Sequence, residues 1–489
     1  MAQLFFSPHA TAGEAPLPEV AVAPADPSLL RDTIGPERAA GLDAAVGGLR
    51  SVLGARRVID VNSTTAGGGV AEMLYRIVRY TRGAGVDARW FTIEADPTFF
   101  ALTKRLHHLL HGQDAPGPPL DTHAGAYYAA VGERNARALL RSVRPGDLVT
   151  LHDPQTAGLA PALRRGGVRV VWRSHIGSDA HNEFTDRAWA FLRPFLDSAD
   201  AFVFSRARYV PGWLAERQIA VIQPSIDPLS AKNRPLDDHA AAAIVRRMGL
   251  RAGGRARERA FYRRGDGTVG QVRRRPVCLY SVSPPPAEAP LVVQISRWDP
   301  LKDMAGVMSS FAAGAASLDG AHLALVGPDV TGVSDDPEGG AVFAQCVDLW
   351  GRLPLRSRSR IHLVCLPMAD AEENAVTVSA LQQQATVVAQ KSLAEGFGLT
   401  VTEAMWKSRP VVASAVGGIR DQIQHGVHGI LLDDPHDRVA FAAHAGGLLQ
   451  DPGRAAALGA GARRRALEHF LDDRQLCQQS ALYQSLAVA

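Results

Sequence analysis

Short apolar runs rich in β-branched residues recur along the chain, each followed by a longer stretch whose apolar positions fall at helical spacing. From Arg56 the runs read RVIDVNS, VDARWFTI, DLVTLHD, VRVVWRSH, DAFVFS and IAVIQPS. A strand wet on one face alternates apolar and polar residues. These runs are apolar almost throughout, which predicts strands buried on both faces of a parallel sheet, with helices as crossovers. The rhythm restarts at Leu291 with LVVQISR, HLALVGP, RIHLVCLP, TVVAQ, PVVAS and GILL. The fold class is therefore α/β: two doubly wound, Rossmann-like parallel-sheet domains in succession.

Between the two series lie PSIDPLSAKNRP, an arginine-rich stretch and the prolines Pro284 to Pro286, all marks of connecting chain. The pattern divides the chain into five parts. Residues 1–50, rich in Ala and Pro, form an N-terminal appendage packed on the first domain, with one amphipathic segment from Pro27 to Leu49. Residues 51–225 are the first domain, 226–290 a linker with an arginine-rich insertion, 291–470 the second domain, and 471–489 a helix free to pack back on the first domain.

A chain of 489 residues with 46% apolar side chains can fill two such cores. No uninterrupted apolar run approaches the roughly 18 residues that span a bilayer. The start, MAQLFFSPHATAGEAPLPEVAVAP, lacks the basic residues and apolar stretch of a secretory signal, so the expected location is the cytoplasm. Cys278, Cys346, Cys365 and Cys477 stand far apart with no CxxC pair, which argues for reduced, buried thiols rather than a zinc site or a disulfide framework. The formal charge is only +4, yet eleven arginines fall between Arg246 and Arg275. Such a run can neutralise phosphates of a nucleic acid, but it lacks periodic aromatics for base stacking. A solvated, partly mobile insertion is the expectation, and neither nucleic acid nor membrane is an expected partner.

In open parallel sheets, ligands bind where loops leave the carboxyl ends of the strands, and the residues with chemistry to offer stand there. After the first run comes Asn62-Ser63-Thr64-Thr65-Ala66-Gly67-Gly68-Gly69-Val70. Glycines allow close backbone approach and the following helix start offers free amides to a phosphate, although such a turn also serves simply as a tight corner. The third run ends in His152-Asp153-Pro154-Gln155 and the fourth in Arg173-Ser174-His175-Ile176. Polar groups at two neighbouring strand ends suit sugar hydroxyls, while a helix cap at Asp153 and a strand end at His175 would explain each taken singly.

In the second series LVVQIS runs into Arg297-Trp298-Asp299-Pro300-Leu301-Lys302-Asp303. Two cations at one strand exit can converge on a diphosphate, the arginine as a planar fork and the lysine as a point charge, and the bland alternative is a loop with two surface charges. TVVAQ leads to Glu395-Gly396-Phe397-Gly398-Leu399-Thr400-Val401-Thr402-Glu403. Gly396 and Gly398 permit an unusual turn, and Leu399 to Trp406 reads as a helix with amides aimed at phosphate oxygens. Glu395 and Glu403 are then at most about 12 Å apart, which suits a ligand with a hexose at one end and a ribose at the other. The glycine turn at Gly417-Gly418 is read as a connection between sheet and helix. His107, His108 and His111, at helical spacing, are read as a solvated helix face, and no metal site is expected.

The order and identity of these motifs resemble the retaining GT-B glycosyltransferases related to glycogen, sucrose and trehalose synthases, over roughly residues 56 to 470. More narrowly, HDPQ at 152, WRSHIGSD at 172, QPSIDPLSAKN at 223 and QKSLAEGFGLTVTEAMWKSRPVVAS at 390 look like the trehalose glycosyltransferring synthases. The resemblance implies a GT-B fold and transfer of glucose from a nucleoside-diphosphate glucose to glucose. It implies that Asp153, His175, Arg297, Lys302 and Glu395 form the catalytic set. The donor would lie on Gly68, Gly69, Arg297, Lys302, Glu395, Gly396, Phe397, Gly398, Leu399, Thr400 and Glu403, and the acceptor on Gly69, His152, Asp153, Gln155 and Arg173. It implies no tightly bound cofactor beyond the co-substrate, with a divalent cation at most a stimulant, and it is compatible with a homodimer. A trehalose phosphorylase, a transferase with another sugar acceptor, and a non-catalytic sugar- or nucleic-acid-binding protein are the competing readings.

Overall fold

A computed structural model of the chain describes residues 15–65, 69–253, 259–330 and 337–488. Six strands form the first sheet: β1 (Val58–Asn62), β2 (Ala88–Thr92), β3 (Leu148–His152), β4 (Arg169–Ser174), β5 (Ala201–Phe204) and β6 (Gln218–Val221). They are all parallel, in the order β2-β1-β3-β4-β5-β6. Every residue of β1, β3 and β5 is buried, as continuous apolar runs require of strands covered on both faces.

After a hairpin of β7 (Ala260–Arg263) and β8 (Val269–Val272), the second sheet takes β9 (Cys278–Tyr280), β10 (Leu291–Ile295), β11 (His322–Pro328), β12 (Ile361–Leu366), β13 (Val387–Gln390), β14 (Val411–Ser414) and β15 (Ile430–Leu432). Its order is β15-β14-β13-β10-β11-β12-β9, parallel except for β9 at the edge. The strand order reverses between β1 and β3 in the first sheet and between β10 and β13 in the second. These two switch points are where the crossovers diverge to opposite faces and leave a crevice at the strand ends. The helices start under side-chain caps: Asp96, Asp121, Asp370 and Asp451 each accept a backbone N–H at the head of the helix that follows, a contact worth about 1 kcal/mol.

The stretch 226–290, expected as connecting chain, instead completes the second domain over most of its length. The helix Asp238–Arg247 packs Ala241, Ile244 and Val245 into the apolar core shared with Val376, Ala380 and Leu381 of the helix Ala371–Gln384. β9 pairs antiparallel with β12, Cys278 opposite Cys365. The expected solvated insertion is pinned as well: Arg264 pairs with Asp370 and Glu372, and Arg274 with Glu373. Acidic residues at the start of the helix Ala371–Gln384 thus take up part of the arginine charge. Nothing local in the sequence signals this, because β9 is only three residues long and the acids lie about a hundred positions away.

The chain crosses between domains twice, side by side. Ile226 donates its N–H to Phe470 O at 2.8 Å and accepts from Asp472 N at 3.2 Å. Beyond this crossing the helix Asp472–Val488 lies on the first domain beside the helix Pro36–Leu53. Leu482, Tyr483 and Leu486 join a core with Val58, Leu148, Val171 and Ala201, and the Tyr483 hydroxyl reaches Thr150 Oγ1 at 2.7 Å. Residues 18–20 run along β2, with Val20 N on Trp90 O at 2.8 Å. Among the described residues no helix is long and apolar enough to cross a membrane.

Candidate active site

The loops that leave the four strands flanking the two switch points carry almost every residue singled out above. On the first wall, Asn62 at the end of β1 ties the turn in place, accepting from Trp90 Nε1 at 2.7 Å and donating to Thr64 O at 2.7 Å. Gly68 lies outside the described residues. Gly69 opens the helix Gly69–Gly83, and a Cβ placed on it would meet Leu399 Cδ1 at 3.4 Å. The heads of the helices Gly69–Gly83 and Leu399–Trp406 therefore face one another across the cleft, which brings their free amides to one place.

At the end of β3, Asp153 adopts φ 62, a left-handed conformation that costs a non-glycine residue energy and persists only when several contacts hold it. They do: its N–H bonds to Arg173 O at 2.9 Å, its carbonyl accepts from Trp172 Nε1 and Thr156, and its Oδ1 accepts from His175 N at 2.7 Å. Burial pushes the Asp153 carboxyl up to about 7, against the opposing pull of the His175 N–H and Arg173.

His152 and Arg173, expected on the acceptor, are both buried at their strand ends. His152 is 2% exposed and both its ring nitrogens are engaged, Nε2 with Asp60 Oδ1 and Nδ1 with His175 Nε2, each at 2.9 Å. With Asp60 as acceptor of the Nε2 proton, His152 Nδ1 accepts from His175 Nε2–H, which leaves His175 Nδ1 bare. Burial, then Arg173 and His152, hold the His175 imidazole well below its ordinary value, so it is neutral at physiological pH. Arg173, 2% exposed, lies beneath the site beside Tyr483, Asp60 and Asp153 and donates to Ile222 O. The polar character of both residues was legible in the sequence, but not that alternation along a strand turns them under the site. Gln155 lies half-buried in the turn after β3.

On the second wall Gln294, in β10, binds two loops at once: its Nε2 donates to Lys302 O at 2.7 Å and its Oε1 accepts from Lys391 N at 3.0 Å. Lys302 Nζ lies 2.7 Å from both carboxylate oxygens of Glu395, and Ser392 Oγ adds a third contact at 3.2 Å. Arg297 Nη2 lies 3.0 Å from Asp299 Oδ2. Each cation thus has a carboxylate partner in the cleft. Gly398, at φ 86, turns the chain into the helix Leu399–Trp406, whose bounds match the sequence reading. Phe397 is buried, and Leu399 and Thr400 form the first turn, Thr400 Oγ1 bonding to Gln390 Oε1 at 2.9 Å.

Glu403, within that helix, is 3% exposed. Its Oε2 is buried with no hydrogen-bond partner, while its Oε1 lies 3.6 Å from Lys232 Nζ. Lys232 also holds Glu72 of the first domain at 2.7 Å. Burial opposes its charge, but Glu403 and Glu72 together raise its ammonium above the ordinary value.

The two walls touch at the glutamate loop. Tyr209, buried in the first domain, donates its hydroxyl to Gly396 O at 2.9 Å and Glu395 O at 3.1 Å. A Cβ on Gly396 would sit 2.7 Å from His175 O, so only glycine lets the walls approach this closely. The expected solvated face of His107 and His111 belongs to the same cleft. His111 Nδ1 lies 3.2 Å from Gly177 O, and burial, then Lys302, takes its imidazole down to about 4. His107 is lowered by burial and by His111, then Arg297. Behind the loop, Arg206 of the first domain grips Asp421 of the second through two contacts of 2.6 and 2.9 Å and also holds Asp179. Among the described residues no three His, Cys, Asp or Glu side chains cluster to hold a metal ion.

Residues 60–211 match the family model described as trehalose synthase, N-terminal domain, and residues 372–465 match glycosyl transferases group 1. A trehalose synthase from Rubrobacter xylanophilus is 34% identical over 88% of this chain and 90% of its own. The chain belongs to the trehalose synthase family. A trehalose phosphorylase from Pleurotus sajor-caju is 28% identical over 78% of this chain and 51% of its own. A UDP-forming α,α-trehalose-phosphate synthase from Burkholderia xenovorans shares the fold with a TM-score of 0.65 at 15% identity, covering 88% of this chain and 98% of that one. This member of the trehalose synthase family is thus an enzyme, a glycosyltransferase of the GT-B class, with the strand-end residues of two Rossmann-like domains meeting in one cleft.

Proposed function

We propose that the enzyme transfers glucose from a nucleoside-diphosphate glucose to free glucose, with retention at the anomeric carbon, and so forms trehalose. The observation that carries the nucleotide is Glu403: a buried carboxylate oxygen without a partner, eight positions from Glu395 in a helix that opens on the cleft. A ribose offers the paired hydroxyls that would complete it, whereas inorganic phosphate has no such diol and would set a second anion against the carboxylate. The UDP-forming relative in fold is consistent with this reading.

In this reading the second domain holds the donor and the first the acceptor. Arg297 and Lys302, with the amides at Gly69 and at Leu399 and Thr400, offset the charge that grows on the departing diphosphate. Fixed cations and dipoles aimed at a developing charge supply most of the acceleration in such sites. Glu395 orients Lys302 and takes the hexose 3- and 4-hydroxyls, with Gly396 and Phe397 shaping the turn beneath. Asp153, His175 and Gln155 face the transferred hexose and the acceptor. The bond from the anomeric carbon to phosphate oxygen breaks, the bond to the acceptor oxygen forms on the same face, and the acceptor's proton passes to the leaving phosphate. No second carboxylate of the glycosidase kind is needed.

Incubation with glucose and either a panel of nucleoside-diphosphate glucoses or glucose 1-phosphate tests the choice. Trehalose is expected from a nucleotide donor. Trehalose from glucose 1-phosphate alone, with release of phosphate, would establish the phosphorylase reading instead.

A further inference from the structure

On the far side of the glutamate loop, where the chain crosses between domains, lies an open cavity of about 560 Å3. Its lining includes Arg420 and Arg465 from the second domain, His469 and Arg474 on either side of the crossing, and Gln223 and Gln478. One carboxylate faces it, Asp421, and both of its oxygens already bind Arg206. Arg474 Nη1 donates to Gln478 Oε1 at 2.6 Å and Nη2 to Gln223 O at 2.7 Å, which ties it to both glutamines, while its Nε is buried with no hydrogen-bond partner. Arg420 has its nearest carboxylate, Asp179, at 3.7 Å, and Asp179 is shared with Arg206. The surplus of positive charge acts on its neighbours. Burial and then Arg173 bring Arg474 down to about 10 against the pull of Asp472 and Asp473, and burial and then Arg465 lower His469, with Glu468 opposing and Arg474 and Arg38 adding to it. Cations that outnumber the carboxylates of a partly dry cavity are stabilised by an anion, and guanidinium groups match phosphate in geometry as well as charge.

We propose that this cavity is a regulatory site for a phosphorylated small metabolite, whose phosphate is held by Arg420, Arg465, His469 and Arg474 and whose polar remainder is held by Gln223 and Gln478. The volume suits a ligand of that size. Occupancy reaches the donor loop along two short connections. Phe470, in the cavity wall, packs edge-on against Phe397 with ring centroids 5.8 Å apart. Arg465 Nε donates to Gln422 O at 2.7 Å, and Gln422 Nε2 donates to Phe397 O at 2.5 Å. An anion that draws Arg420 and Arg465 towards Arg474 also draws the two domains together at the crossing, so it acts on closure of the cleft.

The cleft cations bind phosphate as well, so the test is made in the Arg297→Ala/Lys302→Ala background. Isothermal titration at constant ionic strength uses inorganic phosphate and glucose 6-phosphate as probes. Both are expected to bind, glucose 6-phosphate more tightly, and further Arg420→Ala/His469→Ala substitution should weaken them at least about tenfold, the loss of two charge-assisted contacts. Unchanged affinity in that variant, or no binding in the background protein, overturns the site. Equal affinity for the two probes overturns the role of Gln223 and Gln478. In the otherwise native enzyme, glucose 6-phosphate should shift KM for whichever donor it uses by about fivefold or more, and should not do so in Arg420→Ala/His469→Ala. An identical shift in both proteins would place the effect in the cleft and overturn the regulatory role.

Discussion

Asp153 joins a strained backbone to a carboxyl raised from 3.8 to about 7. The folded protein therefore holds a proton, between about pH 4 and pH 7, that the unfolded chain has released, and stability falls as pH rises through that window. If the anionic carboxylate is the form that accepts sugar hydroxyls, kcat/KM should rise with pH and level off above about pH 7. Asp153→Asn should remove that acid limb along with most of the activity, as a pH profile will show. Lys302 sits 2.7 Å from Glu395. Lys302→Ala should lower kcat by about two orders of magnitude or more, the usual loss when a transition-state charge contact is removed, with circular dichroism unchanged. With Glu403 on the ribose as proposed, Glu403→Ala should raise the donor's KM more than it lowers kcat, the pattern expected when binding is lost at a part of the donor that does not react. Steady-state kinetics separate the two.

At the scale of elements, the loop from β13 to the helix Leu399–Trp406 depends on missing side chains. A Cβ on Gly396 would stand 2.7 Å from the backbone oxygen of His175, which has no flexible end to swing away. Gly396→Ala should shift Glu395 by a fraction of an ångström to an ångström, and displacement on that scale costs roughly a hundredfold in rate. Little change is expected in the unfolding temperature, since the residue lies between domains; kinetics and a thermal melt check both. Continuous apolar runs fix a strand, so the twelve strands read from the sequence appear where their patterns put them, but burial on both faces fails for β6, which lies at the sheet edge with Gln218 and Val221 exposed. The glycine pair and the period of LTVTEAMW likewise gave the helix Leu399–Trp406 its correct ends. What could not be read was partnership at long range. Asp60 in an apolar strand was the one local sign that something polar lay beneath, and it answers His152. Tyr209 and Arg206 carry no local sign at all, because their partners are roughly 190 to 215 positions away on the other domain, and Lys232, though inside QPSIDPLSAKN, gives no sign of Glu403.

At the scale of the whole molecule, the returning C-terminal segment is anchored on the first domain by buried charge as well as apolar contact. Arg76 of the first domain lies 3.0 Å from Asp472, which also accepts the Ser225 hydroxyl at 2.6 Å. Breaking a buried pair from one side costs about 3–5 kcal/mol. Asp472→Ala should fall at the lower end of that range, because Asp227 stays close by to offset Arg76. Burial and then Asp472 push the Asp227 carboxyl up to about 6, and loss of Asp472 returns it towards its ordinary value. A drop in the denaturant midpoint checks the size of the effect. The crossing that Asp472 anchors also imposes an order of events during synthesis. The six strands of the first sheet leave the ribosome early, yet the face that Leu482, Tyr483 and Leu486 cover stays open while the whole second domain is made, an interval of roughly tens of seconds. The domain that begins first is therefore finished last, and for that interval its exposed apolar face is the part of the nascent chain most in need of a chaperone.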